Sequence, residues 1–327
     1  MNGPSGPYDW TRLRRDVDAA PSILNTRPWL FGSAPGDRIE LRARWDRHLA
    51  VIDPRHRELL ISCGAALFNL RLAIRVTGHD PVVWLLPDQT ASAPVCEHCG
   101  DRCGVGGLLA SIEIILRRAH PATITEERLY EAIPQRHTVR QPFGRPIRMN
   151  MLAELEQAAR MEGAEARLLS KGEVRHLLRQ SAQADDQLRL DPLYRAEIGK
   201  WTGPDLPDGL GVPPSKFGPK PKDEHYPPVR DFGPAGPEPR AIMKFEKHPQ
   251  FIALETRADT PPDWLRAGQA LQRLLLTATY YGVEASFLTQ QLEDKDKRVH
   301  SWHDDRQWWP WARPAQMIIR VGGRSQV

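Results

Sequence analysis

Two fifteen-residue segments, GAALFNLRLAIRVTG (Gly64 to Gly78) and GQALQRLLLTATYYG (Gly268 to Gly282), align without a gap, every position displaced by the same 204 residues. Glycine stands at both ends of each, and Ala66 with Ala270, Leu67 with Leu271, Leu70 with Leu274 and Leu72 with Leu276 coincide. Apolar residues at i, i+3 and i+4 recur in any core helix and produce some of these matches unaided. A strand pattern follows each helix, however, Pro81 to Leu86 in one case and Val283 to Leu288 in the other. A helix-then-strand unit that returns intact is the mark of an internal repeat. A chain built on it folds as two like units fused in one polypeptide.

The chain has 327 residues, room for two such units, since domains run to ~100–200 residues each. Its 40% hydrophobic and 26% charged residues are those of a soluble globular protein, but 30 prolines and 10 tryptophans point to extended segments and large flat apolar surfaces. Such surfaces suit a planar ligand. With 45 basic against 41 acidic residues the charge is too balanced for a nucleic-acid footprint, and an anionic small ligand accounts for the excess. The longest apolar stretch, Leu59 to Val76, is interrupted by Asn69, Arg71 and Arg75, so it reads as a buried amphipathic helix and not a membrane span. No leader pattern is read after Met1, so a cytoplasmic protein is expected.

Further helix and strand signals surround the repeat. Arg12 to Ala20 reads as a short helix ending at Pro21, strand patterns lie around Trp29–Phe31 and Arg38–Arg42, and a helix starts from about Pro54. Between the repeated units, residues Thr202 to Pro239 are dense in Pro and Gly and lose all periodicity. A loop of that length in a compact domain is an active-site lid or a disordered segment. Phe217, Tyr226 and Phe232 supply apolar anchors that favour a docked lid over a solvated connector.

Two short segments carry candidate chemistry. In DAAPSILNTRPWLF, Pro21 ends a helix and leaves amides free, while Ser22 and Asn25 are short polar groups able to reach a ligand or to act as turn and cap residues. In PQRHTVRQPF, Arg136 and Arg140 offer guanidinium groups suited to a phosphate, and Thr138 adds a hydroxyl; without other context this is a mildly basic loop. Cys96, Cys99 and Cys103 with His98 form a CEHCGDRC run that has no second CxxC or HxxxH partner, and it reads as a reduced thiol-rich loop in preference to a metal site. Cys63 reads as a core residue. Trp302, Trp308, Trp309 and Trp311, with His300 and His303, read as structural.

Together these motifs carry a resemblance. Through APSxxNTxPWxF near the start, DPRHRELLISCGAALFNLRLA, RHTVRQPF, the WTG…DGLGVPPSKFGP…RDF stretch, DWLRAGQALQRLLLTA and RPAQMIIRVGG, the chain resembles the nitroreductase family, and within it the Acg-type branch, over essentially its whole length. The resemblance implies an α+β, nitroreductase-like, FMN-dependent fold in which two fused halves, 1–120 and 121–327, form a pseudo-dimer in one chain, with 202–239 as a Pro-rich lid. It also implies FMN at the interface of the halves. Arg136, His137 and Thr138 would hold the phosphate and ribityl end, Arg140 would approach the pyrimidine, and Pro21, Ser22 and Asn25 would contact the ring. Phe287, Leu288, Thr289 and Gln290, after Gly282-Val283-Glu284, would pass the flavin N5, and Arg324 would add a phosphate cation.

Two departures from the family pattern stand out. Arg27 replaces the usual glutamine before Pro-Trp, and either stabilises a reduced anionic flavin or pairs with an acid at the surface. Each half lacks the other's motif, so one complete site, and one FMN per chain, is expected. The resemblance implies an oxidoreductase using NAD(P)H to reduce nitro compounds, quinones or similar small aromatic acceptors. The alternative is an FMN sequestration protein with a closed lid and little turnover. A monomer or weak dimer is expected, with no nucleic acid and no membrane partner.

Overall fold

The computed structural model describes residues 9–87, 107–115, 121–203, 206–207, 209–222, 228–232, 240–293 and 313–325. The cysteine run at 96–103, Tyr226, and the tryptophans and histidines of 300–311 lie outside the described residues.

Helix α1 (Trp10–Asp18) starts on Asp9, whose carboxylate accepts from the Thr11 and Arg12 amides, and ends before Pro21. β1 (Trp29–Ala34) and β2 (Arg38–Ala43) form a hairpin whose turn holds Gly36 and Asp37 at positive φ, the geometry a tight hairpin needs. α2 (Arg57–Arg75), β3 (Asp80–Leu85) and β4 (Leu108–Ile115) complete an antiparallel sheet of order β1-β2-β4-β3. The sequence reading began α2 near Pro54. It begins at Arg57 because Asp53 to His56 form a turn whose Asp53 carboxylate accepts the Leu59 amide at 2.8 Å.

Four helices that the sequence reading did not reach follow: α3 (Ile124–Ala132), α4 (Met149–Arg160), α5 (Lys171–Leu190) and α6 (Pro192–Thr202), with β5 (Glu165–Leu168) between α4 and α5. Capping boxes open α3 (Thr123 with Glu126) and α5 (Ser170 with Glu173). Thr202 therefore ends a helix. Beyond it the Pro-rich stretch holds a 3-10 turn at Pro214–Lys216 and β6 (Lys220–Pro221), which pairs with β7 (Ile242–Met243). β8 (Gln250–Glu255), α7 (Pro261–Tyr280), β9 (Val283–Phe287), α8 (Gln290–Glu293) and β10 (Ala315–Gly323) end the chain, and the second antiparallel sheet has the order β5-β8-β10-β9.

Both sheets run first, second, fourth, third in chain order, and in both a long helix joins the second strand to the third. The first sheet's strands all precede residue 121 and the second's all follow it. Helix α2 is buried almost all round and not amphipathic, and the charges that interrupt its sequence are engaged. Arg71 bonds Glu162 at 2.6 Å and Gln269 at 2.7 Å, while Arg75 holds Asp80 and Glu126. No helix among the described residues is long and apolar enough to cross a membrane.

The two repeated helices meet at their aligned glycines. A Cβ on Gly64 would lie 2.2 Å from the Leu265 carbonyl oxygen, and one on Gly268 would lie 2.0 Å from the Ile61 carbonyl oxygen. Backbone faces backbone here, with no flexible side chain to yield. Near the crossing, the buried Gln272 donates to Asn69 at 2.7 Å, and Asn69 donates to the Asp16 carbonyl at 2.7 Å, tying α1 to the pair. Gly268→Ala is expected to destabilise the protein by about 1–3 kcal/mol despite alanine's better helix propensity. Gly199→Ala, on α6 where nothing lies within 4 Å, is expected to be neutral or stabilising by up to about 1 kcal/mol. Urea unfolding of both variants checks the pair, and equal effects would contradict the close crossing.

Candidate functional site

A run of left-handed residues starts the site. Leu24, Asn25 and Arg27 all hold positive φ, at 43°, 54° and 48°, which is uncommon for side-chain-bearing residues and needs outside support. That support is visible. The Ser22 hydroxyl accepts from the Arg27 amide at 2.9 Å, Ser62 accepts from the Ile23 amide at 3.1 Å, and Arg47 donates to the Thr26 and Arg27 carbonyls. Asn25 gives both side-chain N–H groups to the Pro-rich stretch, at the Gly209 carbonyl (3.0 Å) and the Gly211 carbonyl (2.9 Å), and Gly211 donates back to the Asn25 carbonyl.

Opposite this turn lies the loop after α3. Val139 donates to the Ala285 carbonyl at the edge of β9, and Phe143 donates to Glu246 at 3.1 Å. Arg320 of β10, fully buried, anchors the loop from beneath: it binds Glu246 through two nitrogens at 2.5 and 2.7 Å, donates to the Gln141 carbonyl, and stacks 3.9 Å from the Phe143 ring centre.

Turn and loop face each other across a cavity of about 550 Å³. Pro21, Ser22, Asn25 and Arg27 line it from one motif and Arg136, His137, Thr138 and Arg140 from the other, although the two are more than a hundred residues apart in sequence. Ile61, Leu271, Phe287 and Met317 give it apolar wall, and Thr289 lines it from the turn after β9. Residues 206–207 and 209–213, with Lys216 and Phe232, close over it. Phe232 packs at 5.3 Å from the buried Phe217 in a small core with Leu24, Leu49, Ile52, Tyr194, Ile198 and Val212, so the Pro-rich stretch is docked on the body of the protein.

Three residues expected at the site stand elsewhere. Leu288 is buried among Leu169, Phe251 and Leu292, because after Phe287 the chain turns inward to bond the Ile318 carbonyl. Gln290 points to α5 and donates to Asp185 at 3.1 Å. Arg324 is exposed and reaches Glu284 at 3.3 Å. Residues not singled out from sequence also line the cavity: Glu58, Ser62, Lys216 and Arg230. Lys216 and Arg230 lie within the SKFGP and RDF parts of the family-like stretch, and their charge was the available signal.

Charge distinguishes this cavity. Glu58 is paired with Arg57 at 2.8 Å, and Arg230 with Glu293 at 2.5 Å. Arg27, Arg136, Arg140 and Lys216 have no carboxylate partner among the described residues. Arg136 donates only to the Ala19 carbonyl and Arg140 only to the Lys216 carbonyl, while the buried Nε atoms of Arg27 and Arg136 make no hydrogen bond. Desolvation pulls the guanidinium of Arg136 down to about 10, and desolvation together with Arg230 does the same at Arg140. Four cations without a carboxylate partner among the described residues line this one cavity, an arrangement that suits an anion.

No family model matches the chain. Proteins of Mycobacterium tuberculosis (strain ATCC 25618 / H37Rv) are similar to it. "Putative NAD(P)H nitroreductase Rv3131" is 30% identical over 275 residues, covering 84% of this chain and 74% of that protein. "Putative NAD(P)H nitroreductase acg" is 27% identical over 286 residues, covering 84% and 78%. "Uncharacterized protein Rv3127" is 26% identical over 283 residues, covering 85% and 77%. Among solved structures, a "putative nitroreductase from anabaena variabilis" is similar with a TM-score of 0.41 and 13% identity over 88% of this chain and 69% of that one.

Beside the cavity, burial first and Glu58 second push the Asp53 carboxyl up to about 7. A carboxyl raised on folding favours the fold while protonated, so its contribution is complete below about pH 4 and is lost as the pH rises through 7. Unfolding free energy is therefore expected to fall between about pH 4.5 and 7.5, by up to about 1.4 kcal/mol per pH unit from this group. Asp53→Asn keeps an acceptor for the Leu59 amide and should remove that part of the slope in urea unfolding. An identical slope in the variant would refute the assignment.

Proposed function

The chain belongs to the nitroreductase family, and from that premise we propose that it is an FMN-binding oxidoreductase of the Acg-type branch, which takes reducing equivalents from NAD(P)H and passes them to a nitro compound, quinone or similar acceptor. One observation carries the reading: the two widely separated motifs line a single cavity in which their arginines, Arg27, Arg136 and Arg140, have no carboxylate partner among the described residues.

The residues present fit the cofactor. A phosphate monoester carries about −1.5 to −2 charges, which the unpartnered Nε of Arg136 and the neighbouring Thr138 hydroxyl and His137 suit. Ile61, Leu271 and Met317 offer apolar contact for a flat ring, and Arg140, Pro21, Ser22 and Arg27 are its polar surroundings. Phe287 and Thr289 are the remaining candidates for the N5 edge. When bound, the flavin supplies the electron-transfer chemistry, so the chain needs no acid–base dyad of its own. Its residues bind, orient and exclude water, and Asn25 acts by holding residues 209–211 across the cavity.

The matched strand orders and the Gly64–Gly268 contact favour a pseudo-dimer of fused halves, 1–120 and 121–327, and one FMN per chain, because each motif occurs once. The Asn25 contacts also favour a second reading, an FMN store with residues 202–239 as a closed lid.

Rapid anaerobic bleaching of the yellow protein by NADH or NADPH is expected; a flavin that only dithionite reduces would favour storage. Arg136→Ala should weaken FMN binding by about 1.5–3 kcal/mol and riboflavin binding far less. Equal losses for the two ligands in apoprotein titrations would place the phosphate elsewhere.

A further inference from the structure

The cations of the cavity outnumber what one flavin phosphate neutralises. Arg27, Arg136, Arg140 and Lys216 are free of carboxylates among the described residues, whereas a phosphate monoester brings about two negative charges at most. About two positive charges remain: the half-buried Arg27 and the Arg140–Lys216 side of the cavity are not needed for that phosphate.

The surplus has a location. Arg136 faces the end of α1, donating to the Ala19 carbonyl. Arg27 lies on the opposite motif, its guanidinium so close over Gly209 that a Cβ there would sit 3.3 Å from one terminal nitrogen. Arg140 is bound to the Lys216 carbonyl, and Lys216 itself is exposed at the cavity margin. Three cations thus border the covering segment at Gly209 and Lys216, apart from the Arg136 position assigned to the flavin phosphate. Of the two roles open to Arg27 from sequence, pairing with an acid is absent among the described residues.

Resting on the flavoprotein reading above, we propose that this cavity takes a second anion beneath the covering segment, and that the acceptor it reduces is a small aromatic carboxylate held by Arg27 and Lys216. A neutral nitroaromatic or quinone of the same shape offers neither cation a charged partner. Discrimination then comes from the chain and not from the flavin. The phosphate of a nicotinamide nucleotide shares this anionic chemistry, and the test separates the two sources.

The test uses flavin-loaded protein, its flavin content measured first by absorbance. Equilibrium dialysis then compares 4-nitrobenzoate with the neutral 4-nitrobenzyl alcohol, and nicotinamide mononucleotide with nicotinamide. The carboxylate is expected to bind at least tenfold more tightly than the alcohol at low salt, and the advantage to shrink in ~0.5 M salt. Arg27→Gln should equalise the two nitro compounds, Lys216→Gln should reduce the difference, and Arg27→Lys should restore part of it, which separates lost charge from lost fold. Equal affinities in the wild type, or a preference that survives both glutamine variants, overturn the proposal. So does an Arg27 dependence confined to the mononucleotide, which assigns the cations to the reductant. Protein that retains no flavin overturns the flavoprotein reading itself; retained flavin without carboxylate preference overturns this inference alone.

Discussion

The backbone-to-backbone crossing of α2 and α7 at Gly64 and Gly268 is the constraint on which the rest of the molecule depends. Two helices this close leave their other faces free to carry a sheet each. β2 and β3 flank α2 in sequence, as β8 and β9 flank α7, so fixing the crossing fixes both sheets relative to each other. The cavity follows from that. The turn at 22–27 sits on α2 through Ser62, the loop at 136–143 hangs from β9 and β10, and Ile61 and Leu271 lie in its wall. Any side chain larger than hydrogen at the crossing would separate the walls before it altered their chemistry.

A stable fold does not need Arg27, Arg136 and Arg140 set around one cavity without a carboxylate partner among the described residues. Other buried arginines meet carboxylates: Arg57 meets Glu58, Arg230 meets Glu293, and Arg320 meets Glu246. Arg136 and Arg140, which line the space between the two motifs, have no such partner among the described residues. A buried guanidinium without a counter-charge opposes folding, so two of them lining one cavity suit a ligand-binding surface.

Much of this was legible in the sequence, for physical reasons that differ by element. The glycine-bounded repeat announced the central helices because close crossings exclude every other residue. Arg136 and Arg140 were readable because guanidinium pairs serve anions. The helices between 124 and 202 were not read, although Thr123 with Glu126 and Ser170 with Glu173 are capping signatures. The places of Leu288, Gln290 and Arg324 were not readable at all. One inward turn after Phe287 decides the first two, and only tertiary contact with Glu284 and Asp185 reveals where the long side chains end. Asn25 is instructive in another way. Its residue type suited both a ligand contact and a turn, and in the fold its donors serve the covering segment.

That last contact bears on whether the site turns over. Two side-chain bonds from Asn25 and one backbone bond from Gly211 hold residues 209–211 in place. At a net ~0.5–1.5 kcal/mol each, they sum to about 1.5–4.5 kcal/mol, an open population between roughly one in ten and one in two thousand. A nicotinamide or an acceptor then binds with its apparent affinity reduced by that factor, which slows turnover and does not forbid it. Permanent sequestration requires the aromatic contacts of Phe217 and Phe232 to open together with the Asn25 bonds as one unit. Those rings pack against Leu24, next to Asn25 in the strained turn, so the two sets of contacts share a boundary residue and their coupling sets how closed the cavity remains.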